Sequence, residues 1–455
     1  MDKKPLFTDS NEFIHALCLN YERISSLLQD PRENPNVKRG LRNADGTGVM
    51  AGYTQIGNVR GYSMIDGEKT PMEGRLFYRG YNMMDLINGF FREGRFGFEE
   101  IAYLLLFGKL PNKQEYELFK HVLHKNMELP TNFTEDMILK QPSRDIMNKL
   151  ARSVLALYSS DSNPDSTELE NMMRQSIRLI ARFPIIVAHA HAVKRHYFDN
   201  DSLYLHRPQE GLSIAENFLR AIRRDTMFTE EEAHLLDLAL VVHAEHGGGN
   251  NSTFTCRVLS STGTDTYSAI SAAVGSLKGP KHGGANAAVL RQFDEIKSHV
   301  SDWQNDDEIA DYLTRILRRE AGDGSGLIYG IGHAIYTLSD PRAVVLKQSA
   351  RHLAENSEYA DEFALLERIE KLAPQIYADV TGSSKSMCAN VDFYSGMVYK
   401  MLHIPQDVFT PLFAVARVTG WCAHRMEEAL TGGRIIRPAY KAIVPLADYV
   451  PLNER

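Results

Sequence analysis

Apolar residues recur at helical spacing along most of the chain. A clear example follows Thr229 and Glu232, which have the spacing of a capping box and precede the apolar stripe Leu235, Leu238 and Val242. No long stretch alternates strands with helices, which argues against a parallel sheet with crossover helices. The pattern therefore predicts an all-α fold.

A second helix is predicted to begin at Thr167 and Glu170, which have the same capping-box spacing. Met173 and Ile177 then fall on one face of that helix. Pro184 is expected to break or restart it, because proline has no backbone N–H and its ring clashes with the preceding turn.

The two ends of the chain depart from this helical pattern. Residues 36–80 are rich in glycine, and Asp66-Gly67 follows a short run of β-forming residues, which predicts a minor N-terminal β-hairpin. From Arg437 onward the chain carries Pro438, Pro445 and Pro451, so we expect this segment to be extended.

Composition narrows the class of protein. Hydrophobic residues make up 43% and charged residues 24% of 455 residues, which is typical of a globular protein. A net charge of −7 argues against a nucleic-acid binder. The four cysteines lie far apart, no apolar run approaches 18 residues, and the acidic N-terminus lacks the apolar stretch of a signal peptide. We therefore expect a cytoplasmic protein with no membrane span.

The first candidate functional residues are two histidines in the segment HAEHGGGNNST. His243 and His246 are three residues apart and share a helix face. They are compatible with a metal site, which would need a third ligand, or with a plain helix end at Gly247–Gly249. In a third interpretation, a histidine at this glycine-rich turn donates to a bound carboxylate.

Two further histidines lie on glycine-rich turns. His282 stands in GPKHGGAN at a predicted helix start, where the positive end of the helix favours a neutral imidazole that donates to an oxyanion. His333 follows Gly330 and Gly332, with Arg342 nine residues later, an arrangement suited to polarising a carbonyl and holding its carboxylate. A capping histidine in the first case and a plain turn in the second are the structural alternatives.

The remaining candidates are one carboxylate and two arginines. Asp392 stands between Val391 and Phe393, where burial would raise its pKa towards the range of a general base, although an N-cap role is equally compatible. Arg417 lies in an apolar helix and needs an anionic partner, and Arg437 follows that helix. Together with the histidines, these residues suit deprotonation of a carbon beside a carbonyl and its addition to a small polycarboxylate.

Seven motifs, in this order along the chain, resemble the citrate synthase family, which includes 2-methylcitrate synthases. The resemblance runs from about Arg75 to the C-terminus. The motifs are LFYRGYNMMDL, FEEIAYLLLFGKLP, HAEHGGGNNSTFTCRV, GSLKGPKHGGAN, GIGHAIYTLSDPRA, NVDFYSGMVY and TPLFAVARVTGW.

The resemblance implies roles for individual residues. Asp392 would take the methyl proton of acetyl-CoA, His282 would stabilise the enol or enolate, and His333 would donate to the carbonyl of oxaloacetate. Six residues would bind oxaloacetate or line its pocket: His246, Asn250, Arg342, Phe413, Arg417 and Arg437. The backbone of Leu327, Gly330, Ile331 and Gly332 would contact the adenine of CoA. The family implies no metal and no permanently bound cofactor, and the product citryl-CoA would be hydrolysed to citrate and CoA.

The family architecture implies two helical domains with the active site between them. A large domain would comprise residues 1–281 and 398–455 and would form a homodimer, and a small domain of residues 282–397 would lie on the CoA side. Arg437 would reach the site of the partner subunit.

One departure from bacterial relatives concerns the CoA phosphates. Many of those relatives have basic residues where this chain has Ala334 and Thr337, so phosphate contacts must come from elsewhere. The alternative function within the family is 2-methylcitrate synthase acting on propionyl-CoA, since one methylene changes binding by only about 1–3 kcal/mol. A metal-dependent hydrolase and a catalytically inactive scaffold are the alternatives from other classes.

Overall fold

The computed structural model divides into two compact units, residues 1–53 and residues 54–455. It describes residues 14–15, 18–19, 21–22, 37–43, 45–65, 68–355, 357–383, 386–431, 433–440, 442 and 446–454. In the first unit, a short 3-10 turn at Arg39–Leu41 is followed by an isolated bridge between Arg42 and Gly48.

Helices dominate the second unit, as the apolar periodicity predicts. The described residues form fifteen α-helices: α1 Met83–Glu93, α2 Phe98–Phe107, α3 Lys113–Lys125, α4 Ile146–Tyr158, α5 Leu169–Phe198, α6 Ile214–Ile222, α7 Glu230–His243, α8 Asn251–Ser260, α9 Thr266–Lys278, α10 Ala285–His299, α11 Asp306–Leu317, α12 Pro341–Glu355, α13 Ala360–Thr381, α14 Val391–Met401 and α15 Phe409–Thr431. A π-helical turn spans Thr134–Leu139, and 3-10 turns lie at Gln406–Val408 and Leu452–Glu454. The all-α prediction is confirmed.

The sequence signals for helix starts were right in one case and wrong in another. Thr229 and Glu232 form the predicted capping box at the start of α7. The box predicted at Thr167 is wrong, because α5 begins at Leu169 with Glu168 in the N-cap position and no side-chain cap. Pro184 does not break α5 either. Its neighbours are buried in the core, and this packing outweighs the roughly 3 kcal/mol that an internal proline costs a helix.

Helix α15 lies at the centre of the core. Every residue from Pro411 to Met426 is buried, and α15 packs against α5, α7, α8 and α9. Helix α5 is the one described helix long and apolar enough to cross a membrane by composition, but 72% of its most apolar window is buried inside the protein. Because α15 is buried on all sides, its polar residues Arg417, His424 and Arg425 must find partners inside the fold or in a ligand.

The predicted β-hairpin is present. Strands β1 (Gly57–Ile65) and β2 (Glu68–Tyr78) pair antiparallel, and the short β3 (Tyr81–Asn82) pairs with β2. The predicted turn residues, Asp66 and Gly67, lie outside the described residues. The hairpin packs against the loop before α12, where a Cβ at Gly61 or Gly74 would collide with backbone oxygens. The hairpin therefore supports the loop that carries His333. The division into domains 1–281 with 398–455 and 282–397 stays a prediction.

Candidate active site

Arg417 forms the floor of the site. Its Nε donates to the carbonyl oxygen of His243 at 2.6 Å, and its guanidinium carbon lies 4.8 Å from the ring centre of Phe413. Nη1 and Nη2 are buried without a hydrogen-bond partner among the described residues. Burial lowers the pKa of Arg417 to about 10, against the opposing charge of Glu245, so the group stays cationic at neutral pH. Two buried cationic donors without partners are suited to a carboxylate.

Arg342 differs from Arg417 because a carboxylate of the chain already holds it. Asp340 accepts from its Nε at 3.0 Å and from its Nη2 at 2.7 Å, and the second of these oxygens also accepts the backbone N–H of Val391 at 3.1 Å. Burial alone would lower the pKa of Arg342, but Asp340 outweighs it and raises that pKa. Asp340 thereby connects the start of α12 to the start of α14, a role that the sequence analysis missed.

His246 and His333 lie side by side, and the charges of Arg342 and Arg417 act on His246. Their ring centres are 5.3 Å apart and nearly perpendicular, and Tyr336 stacks on His333 at 4.6 Å. Burial and the charge of Arg342 hold the pKa of His246 well below its usual value, so this ring is neutral. Nδ1 of His333 accepts the backbone N–H groups of Ile335 and Tyr336, both at 3.1 Å. Its Nε2 therefore carries the proton and can serve as a donor.

His282 is held by a serine that the sequence analysis did not single out. Its Nε2 lies 3.0 Å from Ser252 Oγ, which accepts from Trp421 Nε1 at 3.1 Å and donates to Asn250 Oδ1 at 2.9 Å. Burial and the charge of Arg417 lower the pKa of His282 to about 4. Ser252 has one proton: when it goes to Asn250, His282 donates from Nε2 to Ser252, and when it goes to Nε2, the ring proton lies on Nδ1 and can be donated to a ligand.

Asp392 has the properties expected of a general base. It lies in the first turn of α14, and its Oδ1 is buried without a hydrogen-bond partner among the described residues. Burial raises its pKa to about 6, although Arg342 opposes the shift. The alternative N-cap role is wrong, because Asn390 caps α14 and accepts the N–H of Asp392 at 3.0 Å. Asp392 is therefore available for chemistry.

The loop predicted to contact adenine is attached to the segment that precedes Asp392. Ile331 forms an antiparallel bridge with Ala389, and Gly332 N–H donates to Cys388 at 2.7 Å. Gly330 has a φ of +80°, and a Cβ there would collide with Phe393. Leu327, at the start of the loop, is exposed, and its carbonyl accepts from Gln292 at 2.8 Å. The loop leading to His333 and the approach to Asp392 therefore form one hydrogen-bonded unit.

Some candidates do not join this cluster. Arg437 is exposed, and it makes no hydrogen bond or ion pair with any described residue. His243 is fully buried, with its Nδ1 2.8 Å from the Ala239 carbonyl, and burial lowers its pKa to about 3. Among the described residues, no group of three His, Cys, Asp or Glu side chains is placed to hold a metal ion. Ala334 is exposed, and Thr337 approaches the carbonyl of Gly61 at 3.5 Å.

Fold and site together define a class: a mainly helical protein that brings a buried carboxyl group and neutral histidines near buried arginines. A sequence model of the citrate synthase C-terminal domain matches residues 45–439. A citrate synthase from Synechocystis is 33% identical over 432 residues, covering 93% of this chain and 95% of the relative. A 2-methylcitrate synthase from Shewanella oneidensis is 31% identical, covering 84% of this chain and 90% of the relative.

The fold also matches solved structures. A citrate synthase from Thermoplasma acidophilum, in a ternary complex with carboxymethyl coenzyme A and oxaloacetate, superposes with a TM-score of 0.75. It is 28% identical and covers 93% of this chain and all of the other. The chain belongs to the citrate synthase family, an acyltransferase family. The predictions of family, fold and enzyme class are confirmed, whereas the roles of individual site residues stay predictions.

Proposed function

We propose that this chain condenses acetyl-CoA with oxaloacetate and hydrolyses the thioester to give citrate and CoA. The observation that carries the proposal is the charged guanidinium of Arg417, whose Nη1 and Nη2 have no partner among the described residues, near a carboxyl group whose pKa is about 6. The first group suits a dicarboxylate substrate, and the second suits removal of a proton near neutral pH.

In the first step, Asp392 takes a methyl proton from acetyl-CoA. The electron pair of the C–H bond becomes the C=C bond of the enolate, the π pair of the thioester carbonyl moves to oxygen, and His282 stabilises the resulting enol or enolate by donating from Nδ1. This role requires the ring proton on Nδ1, with Ser252 Oγ, 3.0 Å from Nε2, donating to the ring instead of to Asn250 Oδ1. The low pKa of His282 suits the role, because a neutral imidazole donates without first having to lose a proton.

In the second step, the nucleophilic carbon attacks the carbonyl carbon of oxaloacetate. The C–O π electrons move to oxygen, and His333 donates from Nε2, the nitrogen that its backbone contacts leave protonated. Arg417, Arg342 and His246 hold the carboxylates, with Asn250 and Phe413 lining the pocket. Water then cleaves the thioester of citryl-CoA, releasing citrate and CoA.

Kinetic measurements test which acyl-CoA this chain prefers. CoA release is measured with oxaloacetate and either acetyl-CoA or propionyl-CoA, side by side. We expect a higher kcat/KM with acetyl-CoA, because the similarity to the Synechocystis citrate synthase covers more of the chain than that to the 2-methylcitrate synthase. A preference for propionyl-CoA would favour the alternative, and no CoA release with either would refute the family reaction for this chain.

The loop Leu327–Gly332 is proposed to bind the adenine of CoA through its backbone. Its attachment to the segment before Asp392 supports this, because nucleotide binding would then bring the thioester towards the base. We propose that the CoA phosphates bind basic residues elsewhere in the chain, because positions 334 and 337 are Ala and Thr.

We further propose a cytoplasmic homodimer with shared active sites. Helix α9 presents a face of small residues, Ser268, Ala272 and Gly275, that are not fully buried in one chain. The C-terminal segment exposes Ile435 and Tyr440 next to Arg437. Both features suit close packing against a second copy, with Arg437 reaching its neighbour's oxaloacetate.

Mixed dimers test this sharing. Asp392→Asn and Arg437→Ala homodimers should both be nearly inactive, but a mixed dimer has one site with both intact residues. Random exchange at equal amounts makes about half of the dimers mixed, so roughly a quarter of wild-type activity should return. Mixed dimers that form by native mass spectrometry and show no recovery would place Arg437 in its own subunit's site. We also propose that no metal is required, so that full activity after treatment with a chelator is expected.

A further inference from the structure

A buried chain of polar contacts lies behind the proposed oxaloacetate site. Glu245 and His424 are fully buried, and Arg257 is 7% exposed. Glu245 Oε1 accepts from His424 Nε2 at 2.9 Å and from the backbone N–H of Gly247. The carboxylate thus holds the turn that carries His246 and leads to Asn250.

The donors of Arg257 determine the direction of the hydrogen bonds that link Arg257, His424 and Glu245. Arg257 Nε and Nη2 lie 3.0 and 2.7 Å from His424 Nδ1. An arginine has only donors and remains charged, so Nδ1 must be unprotonated and the proton of the neutral His424 ring lies on Nε2, facing Glu245. At its far side, Arg257 donates from Nη1 to Glu428 at 2.8 Å and pairs with Glu427.

Glu245 is also the charge that balances Arg417. Burial alone would raise the pKa of Glu245, but the hydrogen bond from His424 and the charge of Arg417 lower it, so the group stays ionised. Burial lowers the pKa of Arg417, and among the groups that raise it the charge of Glu245 has the largest effect. A Cβ at Gly57 or Gly420 would lie 2.5 Å from a Glu245 oxygen, so the carboxylate has no room to turn away.

We propose that His424 and Arg257 are positioning residues for oxaloacetate binding. They touch no substrate, but they hold Glu245 ionised and immobile, so that His246 and a charged Arg417 are already in place when the dicarboxylate arrives. This inference rests on the proposed roles of His246 and Arg417 as oxaloacetate ligands. We therefore expect a substitution that disrupts these contacts to weaken oxaloacetate binding more than acetyl-CoA binding.

Two substitutions at His424 test whether its N–H donor to Glu245 is needed for oxaloacetate binding. His424→Phe keeps an aromatic ring but removes the N–H that faces Glu245, whereas His424→Gln keeps an amide N–H at about the same reach. We expect His424→Phe to raise the KM for oxaloacetate roughly tenfold to a hundredfold, the range for a lost hydrogen bond to a charged group. The KM for acetyl-CoA should change much less, and His424→Gln should recover most of the oxaloacetate affinity.

Arg425→Met is the matched control. Arg425 is buried on the same helix, one residue further on, and donates to the carbonyl of Thr264 rather than to the turn at Glu245. We expect this variant to leave the KM for oxaloacetate near that of wild type, even where the substitution changes the melting temperature. If His424→Phe does not fold, Arg257→Lys provides the same test, because one ammonium cannot replace the guanidinium fork between His424 and the two glutamates.

The outcomes separate this inference from the proposed function. A wild-type protein that releases no CoA would refute the function itself. An active wild type together with an unchanged oxaloacetate KM in His424→Phe or Arg257→Lys would overturn only the positioning role. Equal rises in His424→Phe, His424→Gln and Arg425→Met would overturn it as well, since they would indicate a loss of packing in α15.

Discussion

Replacing Asp392 by Asn should inactivate the enzyme and at the same time stabilise its fold. Burial raises the pKa of Asp392 from 3.8 to about 6. Each pKa unit corresponds to about 1.4 kcal/mol, so the ionised carboxylate costs the folded protein at most about 3 kcal/mol. Asn carries no charge, and since Oδ1 has no partner among the described residues, no hydrogen bond of that atom is lost.

The sign of the pH dependence follows from the raised pKa. Above about pH 6, Asp392 is ionised in both folded and unfolded states, and the variant has its full advantage. Below about pH 4, the wild-type carboxyl is protonated in both states, and the difference disappears. For a chain of this length the unfolding entropy is on the order of 1 kcal/mol per kelvin, so a gain of ~3 °C is expected at pH 8.

The assay compares melting temperatures and turnover at pH 8 and near pH 4. A matched control is Asp407→Asn, because His191 and Lys194 outweigh burial at Asp407 and lower its pKa to about 2. That variant should be less stable than wild type at pH 8. For Asp392→Asn, turnover should fall by about 10²–10⁴-fold. A lower melting temperature for Asp392→Asn at pH 8, or a kcat near that of wild type, would refute the reasoning.

Three further results are expected. The kcat/KM for acetyl-CoA should fall as pH drops below about 6, since only ionised Asp392 can accept a proton; a flat profile down to pH 5 would contradict this. Oxaloacetate at 100 times its Kd should stabilise wild type by about 2.7 kcal/mol, and both Arg417→Ala and Arg342→Ala should weaken that protection, measured as a melting shift; an unchanged shift in both would refute their role. Ser252→Ala should lower kcat through His282 while leaving the oxaloacetate-induced shift intact, and loss of that shift would indicate a wider disturbance.

The chemical content of the site was already present in the sequence. The glycine-flanked His282 and His333, the apolar-flanked Asp392 and the arginine in an apolar helix were all recognisable, because each signal lies within a few neighbouring residues. The same holds for the all-α class and for the capping box at Thr229, since helical periodicity and capping are local properties. The resemblance of the motifs to the citrate synthase family then assigned these residues to a single reaction.

The partners of these residues were decided by tertiary structure. Ser252 lies 30 residues from His282 and 169 from Trp421, and Arg417 lies 174 from His243. No spacing rule connects such pairs, because the packing of α8 and α15 determines which atoms meet.

The same reason explains the local predictions that failed. Pro184 looks like a helix breaker in sequence, but its buried neighbours hold α5 together. Asp392 has the sequence features of an N-cap, but Asn390 occupies that position, and this leaves the carboxylate for chemistry. The sequence by itself determined which chemical groups are available, and the packed helices decided which of them are buried, neutral or charged, because desolvation and hydrogen-bond partners arise only when distant segments meet.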